Sequence, residues 1–280
     1  MTNTLERHLV FSDLDGSLLD HHTYTFEPAL PAVKALRSLG IPLILASSKT
    51  HAEIAVLRED LGSTDPFICE NGAGIAIPTA LATSQPAGTR REGDFWLYEP
   101  VQFRQHWLDL LEAMKHEFAG EFLSFHDAGV TGIMELTGLS PLAAKAANER
   151  RYSEPVAWLG SDENKYAFVA RLREAGATVQ QGGRFMSVSG AADKGQALAW
   201  LRAFYRELWQ VDAIEDLAAG DSANDIAMLE AAGTALLVQS PVHEFPRLER
   251  TNAVIKSSAT GPTGWGEGVI AWLRSLGLAT

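Results

Sequence analysis

Leu9-Val10-Phe11-Ser12-Asp13-Leu14-Asp15-Gly16-Ser17-Leu18-Leu19 is the stretch that decides the fold of this chain. An apolar run leads directly into two carboxylates two residues apart, and a glycine and a hydroxyl follow. Such a run reads as a buried strand that empties into a polar site. Two aspartates this close repel each other unless a cation sits between them, most often a metal. The arrangement suits phosphoryl chemistry.

Outward from this strand the chain alternates strand and helix signals. A helix is expected from Pro28 to Leu39, with apolar residues at Leu30, Val33, Leu36 and Leu39 and Gly40 as its stop. Pro42–Ala46 reads as a second buried strand ending at Ser47-Ser48-Lys49-Thr50, followed by a helix from His51 to Leu61. Phe67-Ile68-Cys69 is a third strand, ending at Glu70-Asn71-Gly72, and Ala73–Ile77 turns back as a hairpin arm. Short apolar strands separated by amphipathic helices indicate β-α-β units and a parallel sheet.

The rhythm then changes. Thr79–Arg91 is rich in Thr, Ser, Gly, Pro and Ala and reads as a boundary. Beyond it lie strand signals at Phe95–Leu97, Ile133–Leu136, Val156–Trp158, Thr178–Gln180 and Phe185–Val188. Helix signals cover Phe103–Phe118, Leu142–Arg150 and Asn164–Glu174. After Asp193 the α/β alternation resumes, with a helix at Lys194–Leu208, a strand at Leu217–Ala219 and a helix at Asn224–Ala232. Further strands are expected at Ala235–Val238 and Ala253–Ile255. The expected fold is α/β: a doubly wound, mostly parallel sheet split by an inserted α+β domain. The core covers 1–85 and 191–280 and the insert 86–190.

Bulk properties narrow the function classes. With 280 residues the chain suits one domain with a large insert, or two domains. Its net charge of −12 weighs against nucleic acid as a partner, since that requires a cationic surface. The single cysteine, Cys69, cannot form an intramolecular disulfide and reads as a small core thiol. No apolar signal core precedes the first strand and no apolar stretch is long enough to span a membrane, so a cytoplasmic protein is expected. His21, His22 and the other histidines show no metal-ligand spacing, and the tryptophans form no base-stacking cluster.

Asp13 and Asp15, Ser47 and Asp221 all fall at strand ends, and ligands of open parallel sheets bind beyond those ends. Taken singly, each has a structural reading: Asp13-Leu14-Asp15 as a turn, Ser47 as a helix N-cap, Gly220-Asp221 as a turn, Lys194 as a solvated helix residue. Taken together they resemble the haloacid dehalogenase superfamily of phosphatases. Its signature has Asp-x-Asp-Gly-Thr/Ser at the first strand, Ser/Thr at the second, then a lysine before Gly-Asp-x-x-Asn-Asp. This chain has Asp13-Leu14-Asp15-Gly16-Ser17, Ser47, Lys194 and Gly220-Asp221-Ser222-Ala223-Asn224-Asp225, in that order.

The resemblance implies a Rossmann-like core and a set of roles. Asp13 is the expected nucleophile that takes up the phosphoryl group. Asp15 is the expected general acid and base, and its backbone carbonyl is expected to face a magnesium ion shared with Asp13 and Asp221. Asn224 and Asp225 are expected to orient the ion from nearby. Ser47 and Lys194 are expected to meet the phosphate.

A narrower resemblance runs over nearly the whole chain. Ile41–Thr50, Pro66–Gly72, Glu135-Leu136-Thr137-Gly138, Tyr152-Ser153-Glu154-Pro155, Gly182-Gly183-Arg184-Phe185 and Gly261-Pro262-Thr263-Gly264-Trp265 are similar to the mannosyl-3-phosphoglycerate phosphatase family. The implied reaction is magnesium-dependent hydrolysis of mannosyl-3-phosphoglycerate to mannosylglycerate and phosphate, with the insert as an α/β cap. The Thr79–Arg91 and Gly190–Asp193 stretches are the expected hinges of that cap. The substrate is a small phosphorylated sugar, and neither nucleic acid nor membrane is an expected partner. Arg184 is the expected partner of the glycerate carboxylate, and Lys49 that of phosphate or carboxylate, against surface or helix-start readings of each. Glu70, Asn71, Glu135 and Glu154 are candidates for sugar hydroxyls, against turn or exposed-charge readings. Ser222-Ala223 departs from the Gly-Pro common in the family, which affects the loop shape. The alternatives are the glucosyl analogue or another sugar phosphate, a phosphomutase using the same residues, and a non-enzymatic sensor.

Overall fold

The computed structural model describes residues 7–181 and 184–278. The 1–6 stretch, read above as lacking a signal core, and the Gly182-Gly183 pair lie outside the described residues. In chain order the first elements are β1 (Arg7–Ser12), α1 (Leu30–Ser38), β2 (Leu43–Ala46), α2 (His51–Leu61), β3 (Phe67–Cys69), β4 (Gly74–Pro78), β5 (Thr89–Glu92) and β6 (Phe95–Tyr98). Next come α3 (Arg104–Met114), β7 (Phe122–Ser124), α4 (Phe125–Thr137), α5 (Pro141–Asn148), β8 (Ser153–Trp158), α6 (Asp162–Glu174), β9 (Thr178–Gln181) and β10 (Met186–Ser189). The chain finishes with α7 (Lys194–Trp209), β11 (Ile214–Gly220), α8 (Ile226–Ala231), β12 (Thr234–Gln239), β13 (Val254–Thr260) and α9 (Gly261–Ser275).

Contacts divide the chain into two compact units. The first contains the chain up to Ser47, Ser63–Tyr98 and the chain from Asp193 onward; the second contains Ser48–Gly62 and Glu99–Ala192. The first unit holds a nine-stranded sheet in the order β13-β12-β11-β1-β2-β3-β4-β6-β5. Strands β13 to β3 in that order run parallel, and β4, β6 and β5 are antiparallel additions. From β1 the chain proceeds to β2 on one side and later to β11 on the other, so the strand order reverses at β1. Such a reversal opens a crevice at the carboxyl ends of the strands.

Pleating explains why both faces of β1 are apolar. Leu9 and Phe11 share one face and join Ile44, Ile68, Ala218 and, from α7 and α8, Leu198, Leu201, Met228 and Leu229 in one buried cluster. His8 points the other way and meets the edge of Trp272 in α9 at 5.9 Å between ring centroids. A strand covered on both faces has an apolar middle, here Leu9–Phe11, and the carboxylates begin only past its end, at Asp13. Each buried leucine or isoleucine here contributes about 1.5–3 kcal/mol.

The second unit has its own sheet, β7-β8-β10-β9, antiparallel throughout. Helices α3 and α6 supply Trp107, Leu111, Phe168 and Leu172, which pack with Phe122, Val156, Met186 and Val188 of the strands. A smaller cluster joins Phe125, Ile133, Ala144 and Ala147 of α4 and α5. Helix α2 belongs to this unit: the Thr50 hydroxyl that caps it also donates to Ala146 O at 2.8 Å, and Arg150 donates to Ser48 O at 3.2 Å.

The structure corrects two local readings and adds a helix where none was expected. Ile133–Leu136 is helical, not a strand, inside α4. A short apolar run does not distinguish the two by itself; here the helical stretch follows a break at Gly129 and the left-handed Gly138 ends it. Phe95–Tyr98 is a strand of the large sheet, paired with β4 and β5, not of the insert's sheet. The Gly261–Trp265 motif opens a full helix, α9, that buries Trp265, Val269 and Trp272. Strands β5 and β7 have no counterpart in the sequence reading. No helix among the described residues is long and apolar enough to cross a membrane.

Candidate active site

Strand register assembles the site. Ser12 lies beside Ala219 of β11 and beside Leu45 of β2, so Asp13 follows one strand end, Asp221 another and Ser47 a third. Asp13 N donates to Ala219 O at 2.9 Å, which extends the ladder by one residue and pins the Asp13 backbone. The chain then folds tightly: Gly16 N donates to Leu19 O and Leu19 N to Leu14 O. Gly16 has φ +84°, and a Cβ there would stand 2.5 Å from Asp221 Oδ2. Only glycine lets this turn lie against the second acidic loop.

Asp13, Asp221 and Asp225 are all buried, and one carboxylate oxygen from each lies within 4.8 Å of the others. Lys194, at the first position of α7 and fully buried, bridges two of them. Its ammonium donates to Asp13 Oδ1 at 2.5 Å and to Asp225 Oδ1 at 2.7 Å. Asp193, just before it, caps α7 by accepting from Gln196 N at 2.8 Å. Asp225 spends its other oxygen on the backbone N–H groups of Asp221 and Ser222, both at 3.1 Å. Asp225 therefore holds the acidic loop and the lysine in place.

The electrostatics follow from this crowding. Burial, and then repulsion from Asp225, pushes the Asp13 carboxyl well above its ordinary range, with Lys194 pulling the other way. Burial and Asp225 push Asp221 up to about 6. Burial alone would pull the Lys194 ammonium down, but Asp13 and Asp225 outweigh it and hold it firmly protonated. One cation facing three buried carboxylates leaves negative charge uncompensated.

That deficit fits a divalent cation. The donors are all oxygens, as a hard ion such as magnesium requires. Among the described residues Asp221 Oδ1 is buried without a hydrogen-bond partner, which leaves its lone pairs available to an ion. Asp13, Asp221 and Asp225 are the carboxylates close enough together to hold it.

The remaining expected residues fall into two groups. Ser47 is buried after β2, and its carbonyl accepts from Asn71 N at 2.9 Å. Glu70, Asn71 and Gly72 have φ of +47°, +58° and +100° in succession, a strained turn. Asn71 Oδ1 accepts from Asn224 Nδ2 at 3.2 Å, which ties the third strand end to the acidic loop; Glu70 is buried beside it. Asp15 is half-buried in the turn after Asp13. These residues share the first unit with the carboxylate cluster.

Lys49, Glu135, Glu154 and Arg184 belong to the second unit. Lys49 is half-buried just before α2. Glu135 is exposed on α4. Arg184 is exposed and donates to the carbonyls of Leu136 and Thr137 at 2.9 and 3.3 Å, with its guanidinium 5.8 Å from the Phe185 ring centroid. Glu154 does not match its expected role. It is fully buried, paired with Arg104 Nε at 2.5 Å, and accepts from His126 N at 2.8 Å. Both of its oxygens are bonded inside the unit and neither reaches solvent; Arg104 also clamps Asn148 through its carbonyl and side-chain oxygens.

Sequence reasoning passed over a fourth strand end. The loop after β12 brings the Ser240 hydroxyl to Asp221 and places His243 Nε2 3.5 Å from Asp221 Oδ2. The available signal was positional: Ser240-Pro241-Val242-His243 follows an apolar strand adjacent to the one that ends in Asp221.

Residues 10–85 match a family described as haloacid dehalogenase-like hydrolase, and residues 176–272 match sucrose-6F-phosphate phosphohydrolase. The chain is 34% identical over 265 residues to a glucosyl-3-phosphoglycerate/mannosyl-3-phosphoglycerate phosphatase of Methanococcoides burtonii, covering 94% of this chain and 96% of that protein. Among solved structures it resembles the sucrose-phosphatase of Synechocystis, with a TM-score of 0.60, 15% identity and coverage of 98% and 99%. It also resembles a haloalkanoate-superfamily phosphatase of Bacteroides thetaiotaomicron, with a TM-score of 0.64, 18% identity and coverage of 99% and 98%.

Proposed function

Because the chain belongs to the haloacid dehalogenase-like hydrolases and is a phosphatase of that family, we propose that it hydrolyses a hexosyl-3-phosphoglycerate, with mannosyl-3-phosphoglycerate as the leading substrate. The reaction releases the hexosylglycerate and inorganic phosphate. The observation that carries this reading is the alignment of 94% of the chain with a phosphatase named for the glucosyl and mannosyl esters. The buried Asp13–Lys194–Asp225 constellation supports the chemistry.

Magnesium, when bound among these carboxylates, supplies positive charge that lets one anion approach another. Asp13 attacks phosphorus; an Asp13 O–P bond forms as the bond from phosphorus to the glycerate oxygen breaks. Asp15 gives a proton to that departing oxygen. Water then attacks the phosphorus of the aspartyl-phosphate, Asp15 takes its proton, and Asp13 is freed as phosphate leaves. Lys194 opposes the rise in proton affinity that burial imposes on Asp13 and offers charge to the phosphoryl oxygens. Ser47 donates to a phosphate oxygen. Phosphate monoesters hydrolyse so slowly unaided that this concentration of charge has a purpose.

The second unit, with Lys49, Glu135 and Arg184, serves in this reading as the cap that recognises glycerate and sugar. A phosphomutase would use the same residues of the first unit. Phosphate release from a panel of sugar phosphates, with and without magnesium, ranks the substrates. Turnover of the mannosyl or glucosyl ester with inorganic phosphate as product is expected. No release from any hexosyl-phosphoglycerate overturns the proposal, and phosphorus NMR showing a moved phosphate marks a mutase.

A further inference from the structure

We propose that His243 is a positioning residue for Asp221, fixing which of its oxygens is offered to the metal. The inference rests on the metal reading given above and adds a residue to it. His243 lies in the loop after β12, on the strand next to β11, which delivers Asp221. Its Nε2 stands 3.5 Å from Asp221 Oδ2, and its Nδ1 stands 3.1 Å from Glu244 O. The ring is thus held between a backbone carbonyl of its own loop and the carboxylate. A second tether starts at Ser240, whose side chain bonds Asp221 and accepts from Val242 N at 3.4 Å.

The two oxygens of Asp221 have different surroundings. Oδ2 is flanked by His243 and by Gly16, where a Cβ would stand 2.5 Å away. Oδ1 is buried and, among the described residues, has no hydrogen-bond partner. A carboxylate free to rotate would present either oxygen to an ion, whereas one held at Oδ2 presents Oδ1 alone. Groups that orient a ligand from behind in this way set metal affinity about as strongly as 10–100-fold. The His243 side chain is 40% exposed, so replacing it removes little packing.

The test is Mn2+ titrated into the full-length chain, with free Mn2+ counted by electron paramagnetic resonance, so that no substrate is involved. His243→Ala is expected to weaken binding about 10-fold, and His243→Gln, whose amide reaches as far as Nε2, to recover binding to within about 3-fold of wild type. The magnesium concentration needed for half-activation shifts in parallel, while KM for substrate at saturating magnesium stays unchanged. Binding by His243→Ala that equals wild type overturns the proposal, as does equal weakening in the Ala and Gln variants. A wild-type chain that binds no Mn2+ removes the metal reading itself, which separates that failure from this one.

Discussion

Lys194 donates to Asp13 Oδ1 across 2.5 Å, in a setting where the lysine is wholly buried and the aspartate nearly so. A buried charge is tolerated only with a partner, and here each supplies the other's. Lys194→Met removes that partner and leaves Asp13 and Asp225 facing each other without a cation. The expected result is a loss of about 3–5 kcal/mol in urea unfolding, together with loss of turnover. Unchanged unfolding midpoints would refute this account of the lysine.

Asp13→Asn removes the nucleophile and one of the repelling charges with almost no change in shape. Turnover is expected to vanish while the unfolding midpoint without metal stays level or rises. Phosphate release above the uncatalysed background would show that another group attacks phosphorus.

Stability depends on pH in a direction set by Asp221. Burial, then Asp225, raises its carboxyl to about 6, above the ordinary 3.8. Between those values the folded, metal-free chain keeps a proton that the unfolded chain has released, so stability falls as pH rises through that window. The loss is about 2–3 kcal/mol and is complete above pH ~7. Urea midpoints in a chelator at pH 5 and pH 7.5 read it directly. Asp221→Asn is expected to flatten the decline, and magnesium to reverse it in wild type only; a wild-type profile that rises with pH contradicts the assignment.

Glu154 is a structural residue of the second unit. Glu154→Ala strands the Arg104 guanidinium, which among the described residues then keeps only its bonds to Asn148. A destabilisation of about 3–5 kcal/mol is expected, and the Arg104→Ala/Glu154→Ala double variant is expected to lose less than the sum of the singles. At temperatures where Glu154→Ala remains folded, KM should stay within about two-fold of wild type. A large rise in KM without loss of stability would restore Glu154 as a substrate contact.

Gly72→Ala tests how tightly the strained turn is built. The residue has φ +100°, and a Cβ would lie 2.2 Å from Asp193 O and 2.9 Å from Lys194 N. The added methyl must displace the start of α7 and with it the lysine. Lower stability and a kcat loss that exceeds the KM change are expected.

The sequence by itself determined the sheet and its chemical rim. Leu9–Phe11, Leu43–Ala46 and Phe67–Cys69 are local apolar runs, and each ends in its own polar residues. Parallel pairing then brings those ends together by rule, so Asp13, Asp15, Ser47 and Asp221 were legible as one rim without coordinates, while Lys194 was legible only through the resemblance to the superfamily motif. Only the tertiary structure decided the fate of residues whose partners are distant in the chain. Glu154 reads as an exposed charge until Arg104, 50 residues away, is seen beside it. His243 reads as one surface histidine among several until the neighbouring strand sets it against Asp221. Ile133–Leu136 reads as a strand until Ala144 and Ala147 give one face of a helix something to pack on. Backbone periodicity is written in adjacent residues; the electrostatic and packing environment of a side chain is supplied by groups that only folding brings near.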